Sequence, residues 1–331
     1  MRHENDNKSK SISEPSVFNW KHLKDTRLYT DNDYAVETLK NGIDFADENF
    51  TANSTEKAKI IYHCYWFGEI GRKQAFSIKS LLCTQNMDNC KVILWLDKNN
   101  GYENHEQNSF LIALLPYIEV KAYDYYIESE NTPWGNDAGV NIGDSTYHQL
   151  VARADAFRYI ELYKHGGIYF DLDILFLKDF AELLHSEFCY AWETQPFANS
   201  ALFNLKQKSP ISTYLLHKTM KKRAVSPWLI LLYEDQFLKD LCVLPCAFFD
   251  PIWQGLPPEK TPLNDFEEFF KPFNNEFINK FNIHSYKDFF TGCYAFHWHN
   301  QWKTAENGNS FFGIFEKEFN KLIEIKSLHQ H

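Results

Sequence analysis

The chain has 331 residues, 44% of them hydrophobic, enough to bury a sizeable core in one large α/β domain or two ordinary ones. A formal net charge of −10 excludes a general binder of nucleic-acid phosphates. It leaves room for a small anionic ligand, because a bound divalent cation reverses the local charge. The seven cysteines are odd in number and match no common zinc spacing, which predicts thiols in a reducing compartment. Aromatic residues reach 17%, with 29 Phe leading, and this excess is read first as core material.

Residues 1–16 are polar and predict a disordered tail. Residues 17–57 predict a helical accessory segment, with Thr30 and Asp31 as its N-cap and Asn41-Gly42 as a stop. The start has no apolar signal-like run, and no window holds the ~18 apolar residues of a membrane span. The expectation is a cytoplasmic protein. Peripheral contact at the inner face of a membrane, or export as an effector, are the alternatives.

From residue 58 to 331 the pattern is that of one domain. Residues 59–65 predict a strand, 72–84 a helix, and 91–96 (KVILWL) a buried strand. Residues 106–115 predict a helix and 118–123 a further strand, an alternation that implies a mostly parallel sheet flanked by helices. Residues 128–144, rich in Gly and Asn, read as a long loop. A helix over 146–165 ends at Gly166-Gly167, and a strand over 168–172 follows. Beyond Pro210 the pattern is mostly helical, with a late strand at 293–299 and an amphipathic helix at 311–326.

Chemistry concentrates in residues 153–180, RADAFRYIELYKHGGIYFDLDILFLKDF. Asp171 and Asp173 are two apart, so on an extended chain both carboxylates project to one side. Carboxylates in pairs suit Mg²⁺ or Mn²⁺ together with diphosphate oxygens. The strand advances about 13 Å from Gly167 to Asp171, at ~3.3 Å per residue. The same distance back along the helix, at about 1.5 Å per residue, reaches Asp155 and Arg158, three apart on one helical face. The construction gathers three carboxylates and one guanidinium at the C-terminal edge of a strand, where open α/β sheets bind ligands. The plainer alternative is a surface Asp155–Arg158 pair beside a solvated D-x-D, but the apolar runs on both sides of the aspartates disfavour it.

The spacing Ala154-Asp155, Arg158-Tyr159, Leu162-Tyr163-Lys164, Gly166-Gly167-Ile168-Tyr169, Asp171-x-Asp173 resembles that of glycosyltransferases with a DXD sugar-binding region. Similar segments occur in α-1,4-galactosyl- and α-1,4-N-acetylglucosaminyltransferases, bacterial capsule enzymes and glucosylating toxins. Flanking likenesses are weaker. Residues 60–68 (IIYHCYWFG) resemble the pattern I-P-K-I-I-H-x-x-W, without its proline, and 197–205 (FANSALFNL) resemble a segment carrying N-G-A-F-L-A. Residues 244–253 (LPCAFFDPIW) resemble L-P-x-x-x-F-Y-P-I-x-W, and Tyr294-Ala295-Phe296-His297, followed by Asn300, resembles Y-A-V-H with H-V-W-N.

The resemblance implies an α/β fold of the GT-A type: a Rossmann-like nucleotide-sugar-binding sheet, mostly parallel, with flanking helices and a helical C-terminal part. It implies Mn²⁺ or Mg²⁺ held by Asp173, shared by Asp171, which also holds the ribose, with His297 as a third ligand. Asp155 and Arg158 would grip donor-sugar hydroxyls, Asn199 would stand near the anomeric carbon, and Trp66 would stack on the base. His297 and Trp66 also read as ordinary core residues. The implied donor is a nucleotide sugar, UDP first, and the implied acceptor a glycan, glycolipid or protein, with retention at the anomeric centre. Asp235 is a candidate for the acceptor side. The run Lys218, Lys221, Lys222 and Arg223 reads as an exposed helix face or a contact for anionic lipid. Two other classes share some of these signals. Haloacid-dehalogenase-like phosphohydrolases also use a D-x-D strand, but follow it with Thr or Val, where this chain has Ile174-Leu175. A non-enzymatic sugar-binding protein would need the aromatics and not the paired carboxylates.

Overall fold

The computed structural model describes residues 59–135, 147–184, 186–192, 197–222, 240–254, 261–273 and 280–328. The tail 1–16, the accessory segment 17–57, residues 136–144 of the long loop, Arg223 and Asp235 lie outside the described residues, as do the side chains of Lys221 and Lys222. In chain order the elements are β1 (Ile60–Trp66), α1 (Arg72–Thr84), β2 (Cys90–Asp97), β3 (Glu119–Tyr123), α2 (Tyr125–Ser129), α3 (Tyr147–His165) and β4 (Gly167–Phe170). There follow β5 (Ile174–Phe176), β6 (Phe188–Ala191), β7 (Ala198–Leu205), α4 (Pro210–Lys222), β8 (Cys242–Leu244), β9 (Ala295–His297) and α5 (Phe311–Leu328).

The main sheet has seven strands in the order β3-β2-β1-β4-β7-β6-β8, and β5 pairs with β9 in a two-stranded annex. β1 runs parallel to β2, Ile60 opposite Cys90 through Trp66 opposite Leu96, and parallel to β4 through Tyr62–Ile168 and His63–Tyr169. β7 is antiparallel to both β4 and β6. The chain moves outward from β1 to β2 and β3, then returns on the other side of β1 as β4. Such a reversal opens a crevice at the C-terminal ends of β1 and β4, the usual ligand position in an open α/β sheet.

Both faces of the central strands are apolar, and the period of two divides them cleanly. Tyr62, Cys64, Val92, Leu94 and Leu96 pack with Ala75, Ile78, Leu81 and Leu82 of α1. Tyr65, Ile93 and Trp95 pack with Ala156, Phe157 and Ile160 of α3 on the opposite face. A third cluster, including Phe269, Phe289, Phe296, Trp298, Phe312 and Phe315, fills the space under α5. Much of the phenylalanine excess is therefore core. Among the described residues no helix is long and apolar enough to cross a membrane.

The expected elements are largely present, with four informative differences. The helix expected over 106–115 is instead a 3-10 turn at His105–Gln107 followed by irregular turns. Asn108 explains this: its side chain donates to Ile70 O (2.9 Å) and accepts from Phe110 N (3.0 Å), and such local bonds compete with helix. The long loop opens with a short helix, α2, capped by Asp124, which accepts from Tyr126 N at 3.0 Å. Strand β4 stops at Phe170, short of the expected residue 172, because Asp171-Leu172-Asp173 turns, with Ile174 N donating to Asp171 O at 3.2 Å. Between α4 and α5 the described residues are mainly 3-10 turns, such as Cys246–Phe248 and Phe266–Phe269, with β8 and the short β9 among them.

Candidate active site

The site begins with two glycines. Helix α3 ends at Gly166 (φ +67°), and β4 starts at Gly167 (φ +99°), both in the region that L side chains avoid. A Cβ on Gly166 would stand 2.6 Å from Gln207 N, and one on Gly167 would stand 2.2 Å from Ile61 O. Glycine lets β4 fold straight back beside α3 and press against β1. That return brings Asp155, Arg158 and Asp171 to one height. Arg158 Nη2 lies 3.1 Å from Asp155 Oδ1 and 3.3 Å from Asp171 Oδ1. Its Nη1 donates to Ser200 O (2.7 Å) and Oγ (2.8 Å), and the guanidinium lies over the Tyr169 ring at 4.6 Å.

Arg158 and Asp155 are both buried, whereas the Asp171 side chain is 28% exposed and faces the crevice. Burial lifts the Asp155 carboxyl to about 6, against the pull of Arg158 and with a further push from Asp171. Burial likewise raises Asp171, and Arg158 offsets part of that rise.

Asp173 joins this group to the C-terminal part of the chain. Its Oδ2 accepts from Asn300 N at 2.8 Å, and its backbone oxygen accepts from Trp298 N at 3.1 Å. Its Oδ1 is buried and pairs with the His297 imidazole, Nε2 at 3.3 Å. Ligand atoms of Asp171, Asp173 and His297 lie within 4.8 Å of one another. Burial raises Asp173, but His297 outweighs it and leaves that carboxyl below its usual range. Burial alone would lower His297; Asp173 and Asp250 reverse this and lift it to about 10. A position this rich in negative charge suits a cation. Two carboxylates and an imidazole, their ligand atoms gathered at one point, fit Mn²⁺ or Mg²⁺.

The aspartates reach this arrangement by a different route from simple alternation along a strand. The turn after Phe170 aims both of them at the β5–β9 annex, where Ile174 pairs with His297. Asn199 is buried on β7, accepting from Ala201 N (2.8 Å), and its Nδ2 faces Asp250 Oδ2 at 3.5 Å. Trp66 stands at the C-terminal end of β1; its Nε1 donates to Glu69 O at 3.1 Å, and its ring lies 4.9 Å from Trp302. A polar cavity of about 480 Å³ opens beyond it at the ends of β1 and β2, lined by Glu69, Asn99, Asn104 and Asn108.

Asp250 and His299 are given no role by the sequence reading. Asp250 is fully buried, and its Oδ1 accepts from His299 Nε2 at 2.7 Å and lies 3.6 Å from His297 Nδ1. Asp250 stands where the quoted pattern L-P-x-x-x-F-Y-P-I-x-W has tyrosine, and His299 where H-V-W-N has tryptophan. Those two departures were the available signal. They are one contact in space.

Residues 71–189, which include Asp155, Arg158, Asp171 and Asp173, match the family described as glycosyltransferase sugar-binding region containing DXD motif. The chain carries that domain, and the class it defines is a glycosyltransferase. Among curated proteins nothing matches. Among solved structures, the PaToxG glycosyltransferase is similar at 16% identity over 66% of this chain and 74% of its own, with a TM-score of 0.38. Mouse xyloside xylosyltransferase 1 is similar at 12% identity over 76% of this chain and all (100%) of its own, with a TM-score of 0.42. The galactosyltransferase LgtC, solved with donor and acceptor sugar analogues, is similar at 9% identity over 80% and 96%, with a TM-score of 0.45.

Proposed function

We propose that this glycosyltransferase moves a hexose or N-acetylhexosamine from a nucleoside diphosphate sugar, UDP first among them, to a hydroxyl of a glycan, glycolipid or protein. The observation that carries the reading is the cluster of Asp171, Asp173 and His297, whose ligand atoms lie within 4.8 Å of one another. Asp171, Asp173 and His297 would hold Mn²⁺ or Mg²⁺, which when bound neutralises the donor diphosphate and stabilises the departing nucleoside diphosphate.

The chain's own groups do the positioning. Asp171, the exposed member, presents a carboxylate to the donor at the crevice. Arg158 has its Nη atoms against Ser200, Asp155 and Asp171, so it holds the acidic pair in place and supplies a positive counterweight. Asp155 completes the sugar side, and Asn199, whose amide faces Asp250 and accepts from Ala201 N, is the proposed neighbour of the anomeric carbon. The nucleoside would lie toward Trp66 and the polar cavity at the ends of β1 and β2. Asp155 is tied to Arg158, Asp171 and Asp173 are assigned to the cation, and Asp250 is buried under His299, which leaves none of these carboxylates for attack on an anomeric carbon. Retention without a covalent glycosyl-enzyme is the mechanism this favours.

The test is release of nucleoside diphosphate from a panel of UDP, GDP and ADP sugars, with and without Mn²⁺. Metal-dependent release from one of them is the expected result. Equal turnover of none, together with hydrolysis of simple phosphate monoesters, would replace the reading with the phosphohydrolase one.

A further inference from the structure

A second group of aromatic rings stands across the crevice from Trp66. β6 is antiparallel to β7, and β7 to β4, so β1, β4 and β6 all end at one edge of the sheet. Trp66 closes β1 at that edge, and Trp192 follows the end of β6. β4 and β7 lie between them, so the two positions are three strand spacings apart, about 14 Å at ~4.8 Å each. Asp171 follows β4 and Asn199 lies on β7, within that interval. A donor with its nucleoside toward Trp66 would point its sugar end toward Trp192.

The Trp192 indole lies parallel to that of Trp253, with 5.7 Å between centroids and 9° between planes. With stacked planes about 3.5–4 Å apart, the rings are slipped by roughly 4 Å, so each covers only part of the other. Both stay half-buried, whereas Trp95, Trp134 and Trp298 are buried in the core. Phe197 braces Trp192 edge-on at 5.5 Å, and Phe266 braces Trp253 in the same way at 5.8 Å. Trp253 also lies 3.9 Å from His299, which donates to Asp250, which in turn faces the Asn199 amide. Two side chains thus join the pair to the residue proposed beside the anomeric carbon. We propose that Trp192 and Trp253 form the acceptor platform, and that the acceptor is a glycan whose pyranose ring stacks on them. This rests on the glycosyl-transfer reading above and narrows its acceptor to a carbohydrate.

The chemistry of the position favours a sugar over a peptide. A pyranose presents C–H bonds on a face and hydroxyls around its rim, so it needs a flat apolar surface with polar groups beside it. The slipped indoles make the surface longer than one ring. The half-buried His299 and the exposed Asn300 stand next to it with polar atoms. A peptide would be held chiefly by backbone hydrogen bonds along an extended edge, and indole rings do not supply them. The platform is also stiff. Each indole has only two rotatable side-chain bonds and an edge-on brace, so little conformational entropy is lost when a sugar settles on it. Trp192 N donates to Phe197 O at 3.4 Å, which ties this residue to the start of β7, just before Asn199.

The experiment follows the indole N–H signals of the full chain in ¹H–¹⁵N spectra, with UDP and Mg²⁺ present. The probes are methyl β-D-glucopyranoside, methyl β-D-galactopyranoside and methyl N-acetyl-β-D-glucosaminide. Trp192→Phe and Trp253→Phe assign the two signals. At least one glycoside should shift both, while the signals of the buried Trp95 and Trp298 stay in place. With that glycoside as acceptor, Trp192→Ala should raise its KM by roughly 3–10-fold and leave the donor KM near the wild-type value. Trp192→Phe, which keeps an aromatic face, should lose less. Should Trp192→Ala fail to fold, the wild-type titration and Trp192→Phe decide. Indole signals that no glycoside moves, in a chain that still binds UDP, would overturn the platform and leave the donor reading intact. Transfer to a peptide hydroxyl at equal rates by the wild type and Trp192→Ala would overturn it too. A chain that responds to neither UDP nor any glycoside overturns both.

Discussion

The two sides of the crevice are built by different means. Asp155, Arg158 and Asp171 come from one helix, one pair of glycines and one strand, all within residues 147–171. The other side is assembled across long sequence separations: Asn300 reaches Asp173 over 127 residues, and His299 reaches Asp250 over 49. The first side owes its geometry to backbone regularity. The second owes it to individual side-chain bonds, strained backbone and aromatic packing. Asp173 is where they meet, and the account predicts that it is the least replaceable residue.

Asp173→Ala should therefore have the largest effect. It removes a cation ligand and the anchor of the Asn300 turn together, and sugar-nucleotide turnover should fall by roughly 10³-fold, equivalent to about 4 kcal/mol. Initial-rate kinetics at saturating Mn²⁺ would measure it. Gly167→Ala attacks the regular side alone. Its Cβ would meet Ile61 O at 2.2 Å in a left-handed conformation, and urea denaturation should show a loss of about 3 kcal/mol. A loss under about 0.5 kcal/mol would mean that the strand return is not fixed by glycine.

A smaller effect tests the buried carboxyl. Because folding raises Asp155 to about 6, its contribution to stability is complete below the unfolded value and fades as pH rises through about 6. The unfolding free energy of the metal-free wild type, minus that of Asp155→Asn, should thus fall as pH rises between 4 and 6, by about 1 kcal/mol per pH unit. A flat or rising difference would contradict the burial argument. Ser200→Ala should be the mildest, since Arg158 loses the hydroxyl but keeps the carbonyl of the same residue. A loss of about 1 kcal/mol in a thermal melt is expected.

The contrast between the two sides is also the contrast between what the sequence showed and what it hid. Helical spacing of 1.5 Å and strand spacing of 3.3 Å per residue were enough to place Asp155, Arg158 and Asp171 together, and the Gly166-Gly167 break was visible. The position of the aspartates was foreseen, but the reason was not, since they lie in a turn and not on an extended strand. Asp250 could not be found by any periodicity. It sits between Phe249 and Pro251 in a run of short turns, and its meaning depends on histidines that only the fold brings near. The helix expected over 106–115 failed for a local reason, the two backbone bonds of the Asn108 side chain, which outweighed an apolar spacing that suited a helix.

The most direct test of the central claim is calorimetric titration of UDP into the full chain, in Mn²⁺ and again in excess chelator, with Asp173→Ala measured beside the wild type. The account predicts binding by the wild type in Mn²⁺ alone, and none by the variant under either condition. Binding that survives both the chelator and the substitution would contradict a cation held by Asp171, Asp173 and His297.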